Sequence, residues 1–137
     1  MIPLKLPFLL ILSLLTVCVV SFRPSQGKCE IRRVTAKSSP NDIVVGNRKQ
    51  GDSLVNCSHF FREANPSKRI IAFRPFDVAN EYTITQVRAL DQTNGTGGIV
   101  TYEYGGPGMT RVLLGFHSKI NQGVEYIIEL YAEPYEG

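Results

Sequence analysis

Few side chains in this 137-residue sequence are of a type and spacing that could do chemistry. The only two histidines, His59 and His117, sit among aromatic or apolar neighbours with no second histidine or carboxylate at ligand spacing. The expected role of both is a hydrogen-bonded structural or surface histidine, not a catalytic base. No serine stands in a nucleophile elbow, no His-Glu zinc helix occurs and no carboxylate pair can be placed, so the sequence assigns no catalytic residue and no cofactor. Two cysteines and two distant histidines are too few for a metal or redox centre. The glycine-rich stretch Thr93-Asn94-Gly95-Thr96-Gly97-Gly98 is no phosphate cradle either, because a helix would have to follow it and Ile99-Val100-Thr101-Tyr102 follows instead.

What remains is the chemistry of export. Lys5 precedes an apolar run from Phe8 to Val20, interrupted by Ser13 and Thr16 and followed by Ser21, Arg23, Pro24 and Ser25. That is the pattern of a secretory signal peptide, residues 1–27, with cleavage after Ser21 or after Gly27. The run falls short of the roughly 20 residues a bilayer span needs, so no membrane attachment is expected once it is removed. Cys18 lies inside it, leaving Cys29 and Cys57 as an even pair in an oxidising compartment. A bridge between them would add roughly 3–4 kcal/mol in the chain-entropy model and would tie down the N-terminal strand. Two N-glycosylation sequons occur, Asn56-Cys57-Ser58 and Asn94-Gly95-Thr96, while Asn65-Pro66-Ser67 is excluded by its proline. Asn94 is expected on an exposed turn. Asn56 lies in a strand and would point outward if the Cys57 sulfur points in.

The elements that must position these groups are strands. Val112, Leu114 and Phe116 share one side of a run whose other side carries Arg111, Leu113 and His117. In the last run Val124, Tyr126, Ile128, Leu130 and Ala132 line one face, and Glu125 and Glu129 fall on the opposite one, as in a half-buried antiparallel strand. Further strands are expected at Lys28–Ala36, Ile43–Val45, Leu54–Arg62, Arg69–Phe76, Tyr82–Leu90 and Ile99–Tyr104. No stretch carries a sustained helical stripe with caps. About eight short strands over residues 28–137 predict a single all-β domain, an antiparallel sandwich or a small barrel. The stretch from Gly46 to Asp52 reads as a hairpin-like loop, and Asn94-Gly95 as the step a type I′ hairpin turn requires. Phe60, Phe61, Phe73, Phe76, Tyr102, Tyr104, Tyr126 and Tyr131 are expected to fill the core, with an apolar pocket between the sheets as the alternative.

Charge says little about partners in sum and more in its distribution. The full chain carries 15 Lys and Arg against 12 Asp and Glu, but two of the basic residues lie before residue 28. With the remainder nearly balanced, a nucleic-acid surface is not indicated. Residues 28–74 hold 10 basic and 4 acidic side chains and residues 75–137 hold 3 and 8, so opposite charges are expected across neighbouring strands.

The stretch from Gly46 to Leu54, the strand Ile84–Gln92 leading into Asn94-Gly95-Thr96-Gly97-Gly98, the turn Gly105-Gly106-Pro107-Gly108 and the run Gly123–Tyr131 resemble the insect multiprotein bridging factor type 2 family. The resemblance covers nearly all of residues 28–137 and is most specific at Asp91–Gly98 with its flanking strands. It departs at Ser118-Lys119-Ile120, less polar than the family's turn, and at Ala132, where a glycine is common. It implies no catalytic residue set. Many members of the family look like small secreted salivary or venom proteins. The family's name comes from a coactivator that bridges an activator and the basal transcription machinery. Two readings follow: a secreted, extracellular, non-catalytic protein that binds an unidentified protein partner, or a transcriptional coactivator. A carrier of a small apolar ligand is a third.

Overall fold

A computed structural model describes residues 38–137. Seven antiparallel strands form two sheets packed as a sandwich: β1 (Ile43–Gly46), β2 (Ser53–Arg62), β3 (Ile71–Asp77), β4 (Tyr82–Asp91), β5 (Ile99–Gly105), β6 (Arg111–His117) and β7 (Val124–Pro134). The first sheet has the order β1-β4-β7-β2 and the second β3-β6-β5. The sandwich is therefore the outcome of the two architectures the alternation allowed. The expected strand at Lys28–Ala36, the signal segment 1–27 and Cys29 all lie outside the described residues.

The alternation of β6 and β7 decides the core. Val112, Leu114 and Phe116 from β6 meet Val124, Tyr126, Ile128 and Leu130 from β7, all buried, with Ile84, Val87 and Ala89 of β4 alongside. Phe116 is the centre, stacked on Phe60 with ring centroids 3.9 Å apart, edge-on to Phe76 at 6.4 Å and tilted against Tyr126 at 5.8 Å. Ring against ring occupies the space between the sheets at this level. The expected aromatic core is thus only partly realised. Phe60 and Tyr126 are buried, whereas Phe61, Phe73, Tyr102 and Tyr104 are exposed. For Phe73 and Tyr104 the reason is topological: they sit on β3 and β5, the edges of a three-stranded sheet whose outer face has no second layer among the described strands. Tyr102 instead pairs with Leu114 on the inward side of an edge strand, and Phe61 lies on the outer side of β2.

β7 lies between β4 and β2, and its residues on both faces are buried or half-buried as far as Glu133. Glu129, expected on a solvated face, is only 5% exposed and lies 3.4 Å from Arg88 Nη1, a coulombic contact in which its Oε1 makes no hydrogen bond among the described residues. The charge asymmetry of the sequence is only partly expressed across strands. Lys49–Glu133 at 3.5 Å and His59–Glu125 at 3.0 Å join the basic stretch to the acidic one. Arg48–Asp52, Arg88–Glu129 and Arg111–Asp77 instead form within one stretch or the other.

Two loops do something other than expected. β1 and β2 are opposite edges of one sheet, so Gly46–Asp52 is a strap across the sheet end and not a hairpin. Arg48 lies over the Tyr131 ring at 3.9 Å, and Asp52 accepts from Arg48 Nε, Lys49 N and Thr85 Oγ1 at 2.7–2.9 Å. The Asn94-Gly95 step has the predicted positive φ at both residues, 56° and 83°, closed by Thr96 N donating to Thr93 O at 3.2 Å. Its flanking strands, however, belong to different sheets, so the turn carries the chain from one layer to the other.

Candidate functional site

The outer face of the three-stranded sheet is built by the register of β6. Because Val112, Leu114 and Phe116 point inward, Leu113, Gly115 and His117 point outward, and each brings one residue from each edge strand onto the same face. Ile71 and Ile99 flank His117, Phe73 and Thr101 flank Gly115, and Pro75 and Tyr104 flank Leu113. The exposed fractions are 58% for Ile71, 48% for Phe73, 50% for Ile99 and 63% for Tyr104. At about 200 Å² per large side chain these four present on the order of 450 Å². That is as much as the largest apolar patch on a typical small monomer, and such patches mark interaction surfaces.

At the middle of this face three polar groups converge over Gly115. Thr101 Oγ1 donates to Glu103 Oε1 at 2.6 Å and lies 3.2 Å from His117 Nε2, while Phe73 stands edge-on to the His117 ring at 5.8 Å. A Cβ on residue 115 would come within 2.6–2.9 Å of all three polar atoms, so the glycine is what lets the trio lie flat on the sheet. With the Thr101 hydroxyl donating to Glu103, the imidazole of His117 would have to donate to that hydroxyl, the reverse of what a base activating a nucleophile does. The trio is a fixed set of hydrogen-bonding groups in an apolar surround, suited to recognition. Among the described residues no group of three or more His, Cys, Asp or Glu side chains is arranged to hold a metal ion.

His59 lies on the outer side of the other sheet, Nε2 3.0 Å from Glu125 Oε1 and stacked on Phe61. Each histidine thus gains a carboxylate neighbour from sequence-distant residues, directly for His59 and through Thr101 for His117. No spacing rule could find those pairings. Gly115, a glycine inside an otherwise apolar strand, was the one sequence signal for the second.

The residues singled out for covalent chemistry are spread over the molecule. Cys57 pairs with Glu129 in the β2–β7 ladder and lies with it on the outer side of the four-stranded sheet. The condition for an outward Asn56, an inward sulfur, is therefore not met. Asn56 shares the inter-sheet side with Ser58 and Phe60, its Nδ2 donating to Asp77 O at 2.7 Å and its Oδ1 accepting from Ser58 Oγ at 3.1 Å. Asn94 is exposed at the tip of its turn.

That turn is organised by Asp91, a fully buried carboxylate at one end of the sandwich. Ser39 Oγ, Thr93 N, Thr93 Oγ1 and Gly95 N donate to it at 2.6–2.8 Å. Burial pushes this carboxyl up, and the donors from Ser39, Thr93 and Gly95 outweigh it and hold it below the ordinary aspartate value. Beside it the Tyr126 hydroxyl reaches Gly98 O at 3.1 Å, and burial raises its phenol. Two open depressions flank this end. One of about 350 Å³ lies among Phe61, Arg62, Thr93, Gln122 and Glu125, and one of about 400 Å³ among Asn41, Ile99, His117 and Lys119. Both have mixed polar rims and neither lies between the sheets.

Residues 45–132 match the family model described as Transcription activator MBF2. The chain is similar to a protein of Bombus ignitus named Probable salivary secreted peptide, 33% identical over 93 residues that cover 67% of this chain and 69% of that one. No solved structure matches the chain.

Proposed function

The chain belongs to the Transcription activator MBF2 family, and on that premise we propose that it is a small secreted protein that acts by contact with another protein and catalyses no reaction. The observation that carries the reading is the outer face of the β3-β6-β5 sheet, where Ile71, Phe73, Ile99 and Tyr104 stand exposed around the Thr101–Glu103–His117 trio. An apolar patch set around a few fixed polar groups is the make-up of a protein-binding surface. Export is supported by the apolar leader, residues 1–27, and by the name of the Bombus relative. In the oxidising compartment this implies, Cys29 bridges Cys57 and anchors the N-terminal segment to β2.

The family's own description favours a second reading, a transcription activator working through protein contacts inside the cell. The two readings share the contact face and differ in compartment. Full-length chain carrying a C-terminal tag and made in insect cells is expected in the medium, shortened at its N-terminus between residues 21 and 27 and with its thiols blocked. Tagged protein confined to the nucleus, with residues 1–27 intact and thiols that react, would establish the second reading.

A further inference from the structure

The two sequons are unequal once folded, and we propose that Asn94 is the N-glycosylated residue of this protein and that Asn56 stays bare. The inference rests on the secreted reading, since the modification belongs to the export route. In the transfer, the Asn94 Nδ2 forms a bond to the anomeric carbon of an oligosaccharide. The bond from that carbon to the diphosphate of a polyprenyl-diphosphate carrier breaks, and one amide proton leaves with the departing diphosphate. Neither oxidant nor reductant is needed.

Asn94 meets every structural demand of the product. It is exposed at position two of a turn with φ 56°, and its side-chain amide makes no hydrogen bond among the described residues. A sugar on Nδ2 projects into solvent, and the backbone contacts that hold the turn, Thr96 N to Thr93 O and Gly95 N to Asp91 Oδ2, are untouched.

Asn56 meets none of them. It lies on the inter-sheet side of β2, half-buried, and it staples the edge of one sheet to the edge of the other through the 2.7 Å bond from Nδ2 to Asp77 O. Its Oδ1 is held by Ser58, the third residue of its own sequon. A sugar ring attached to that nitrogen would have to occupy the seam between β2 and β3. Transfer takes place before the strands close, so the discrimination acts on the product: a chain glycosylated at Asn56 cannot make the β2–β3 contact and does not accumulate as folded protein.

The test is intact-mass spectrometry of the full chain recovered from insect-cell medium, before and after treatment with peptide N-glycosidase. The wild-type chain is expected to carry one glycan. Asn94→Gln and Thr96→Ala, which remove the same sequon in different ways, are both expected to lose it. Ser58→Ala, which removes the other sequon and leaves the Asn56 amide in place, is expected to keep it. A glycan that survives in Asn94→Gln and Thr96→Ala, two glycans on the wild type, or a signal-cleaved chain in the medium with none would each overturn the assignment while leaving secretion intact. A chain kept inside the cell with residues 1–27 attached would overturn secretion and the glycan together.

Discussion

At the scale of single residues, two carboxylates each gather the donors of a loop. The Arg48 guanidinium donating to Asp52 keeps its carboxyl at about 2, against 3.8 for an ordinary aspartate, with Lys49 N and Thr85 Oγ1 contributing. A carboxyl lowered in the folded state contributes stability in full above its unfolded value and loses it as pH falls toward the folded one. Stability is therefore expected to drop between about pH 4 and pH 2. Asp52→Asn should flatten that drop, measured as the midpoint of urea unfolding across the range. Asp91 has the same sign, being lowered by its donors despite burial. Asp91→Asn tests the donor set directly. An amide offers one acceptor oxygen to four donors and turns an NH₂ toward the rest, so the cost is expected to be about 2 kcal/mol, read as a shift in denaturation midpoint at neutral pH. Neither role was legible from the sequence. Asp91 and Asp52 stand there as ordinary turn aspartates, and their partners Ser39 and Thr85 lie 52 and 33 residues away.

At the scale of elements, period-two alternation was enough to place β6 and β7 and to name their buried faces, because those two strands are central and their inward side chains have a full layer opposite. The same rule was silent on the edge strands. An apolar residue on β3 or β5 looks identical in sequence whether it faces β7 or water, which is why Phe73 and Tyr104 were assigned to a core they do not enter. Glycines separate in the same way. A Cβ on Gly105 would lie 2.1 Å from the Arg111 carbonyl oxygen at a φ of 79°, so backbone would have to move. Gly105→Ala is expected to cost about 2 kcal/mol or more. The three atoms nearest a Cβ on Gly115 belong to the Thr101, Glu103 and His117 side chains, with no backbone atom among them. Gly115→Ala should change stability by less than about 1 kcal/mol while dispersing the trio. Paired urea titrations of the two variants separate these cases; equal losses would show that the trio is part of the fold's support and not a surface device.

At the scale of the whole molecule, the sandwich divides its aromatic rings into two populations with different work. Phe60, Phe116 and Tyr126 close the interior, and Phe116→Ala is expected to cost about 3–5 kcal/mol, since its removal leaves a cavity that three rings and two rigid sheets can fill only partly. Phe73 and Tyr104 stand about half exposed on one flat face, and under the proposed contact role they are the rings that a partner would cover. Phe73→Asp and Tyr104→Asp should each leave the unfolding midpoint within about 0.5 kcal/mol of the parent, as surface substitutions do. Truncating or charging a buried anchor of an interface typically costs about 2 kcal/mol or more, some thirtyfold in affinity. Native protein purified together with its partner is therefore expected to keep it, and each aspartate variant to lose most of it. A substitution at Glu136, near the opposite end of the chain's last strand and outside the patch, should have no effect. If both aspartate variants hold the partner as tightly as the parent does, the contact surface lies elsewhere, with the rim around Phe61, Arg62 and Gln122 as the next region to substitute.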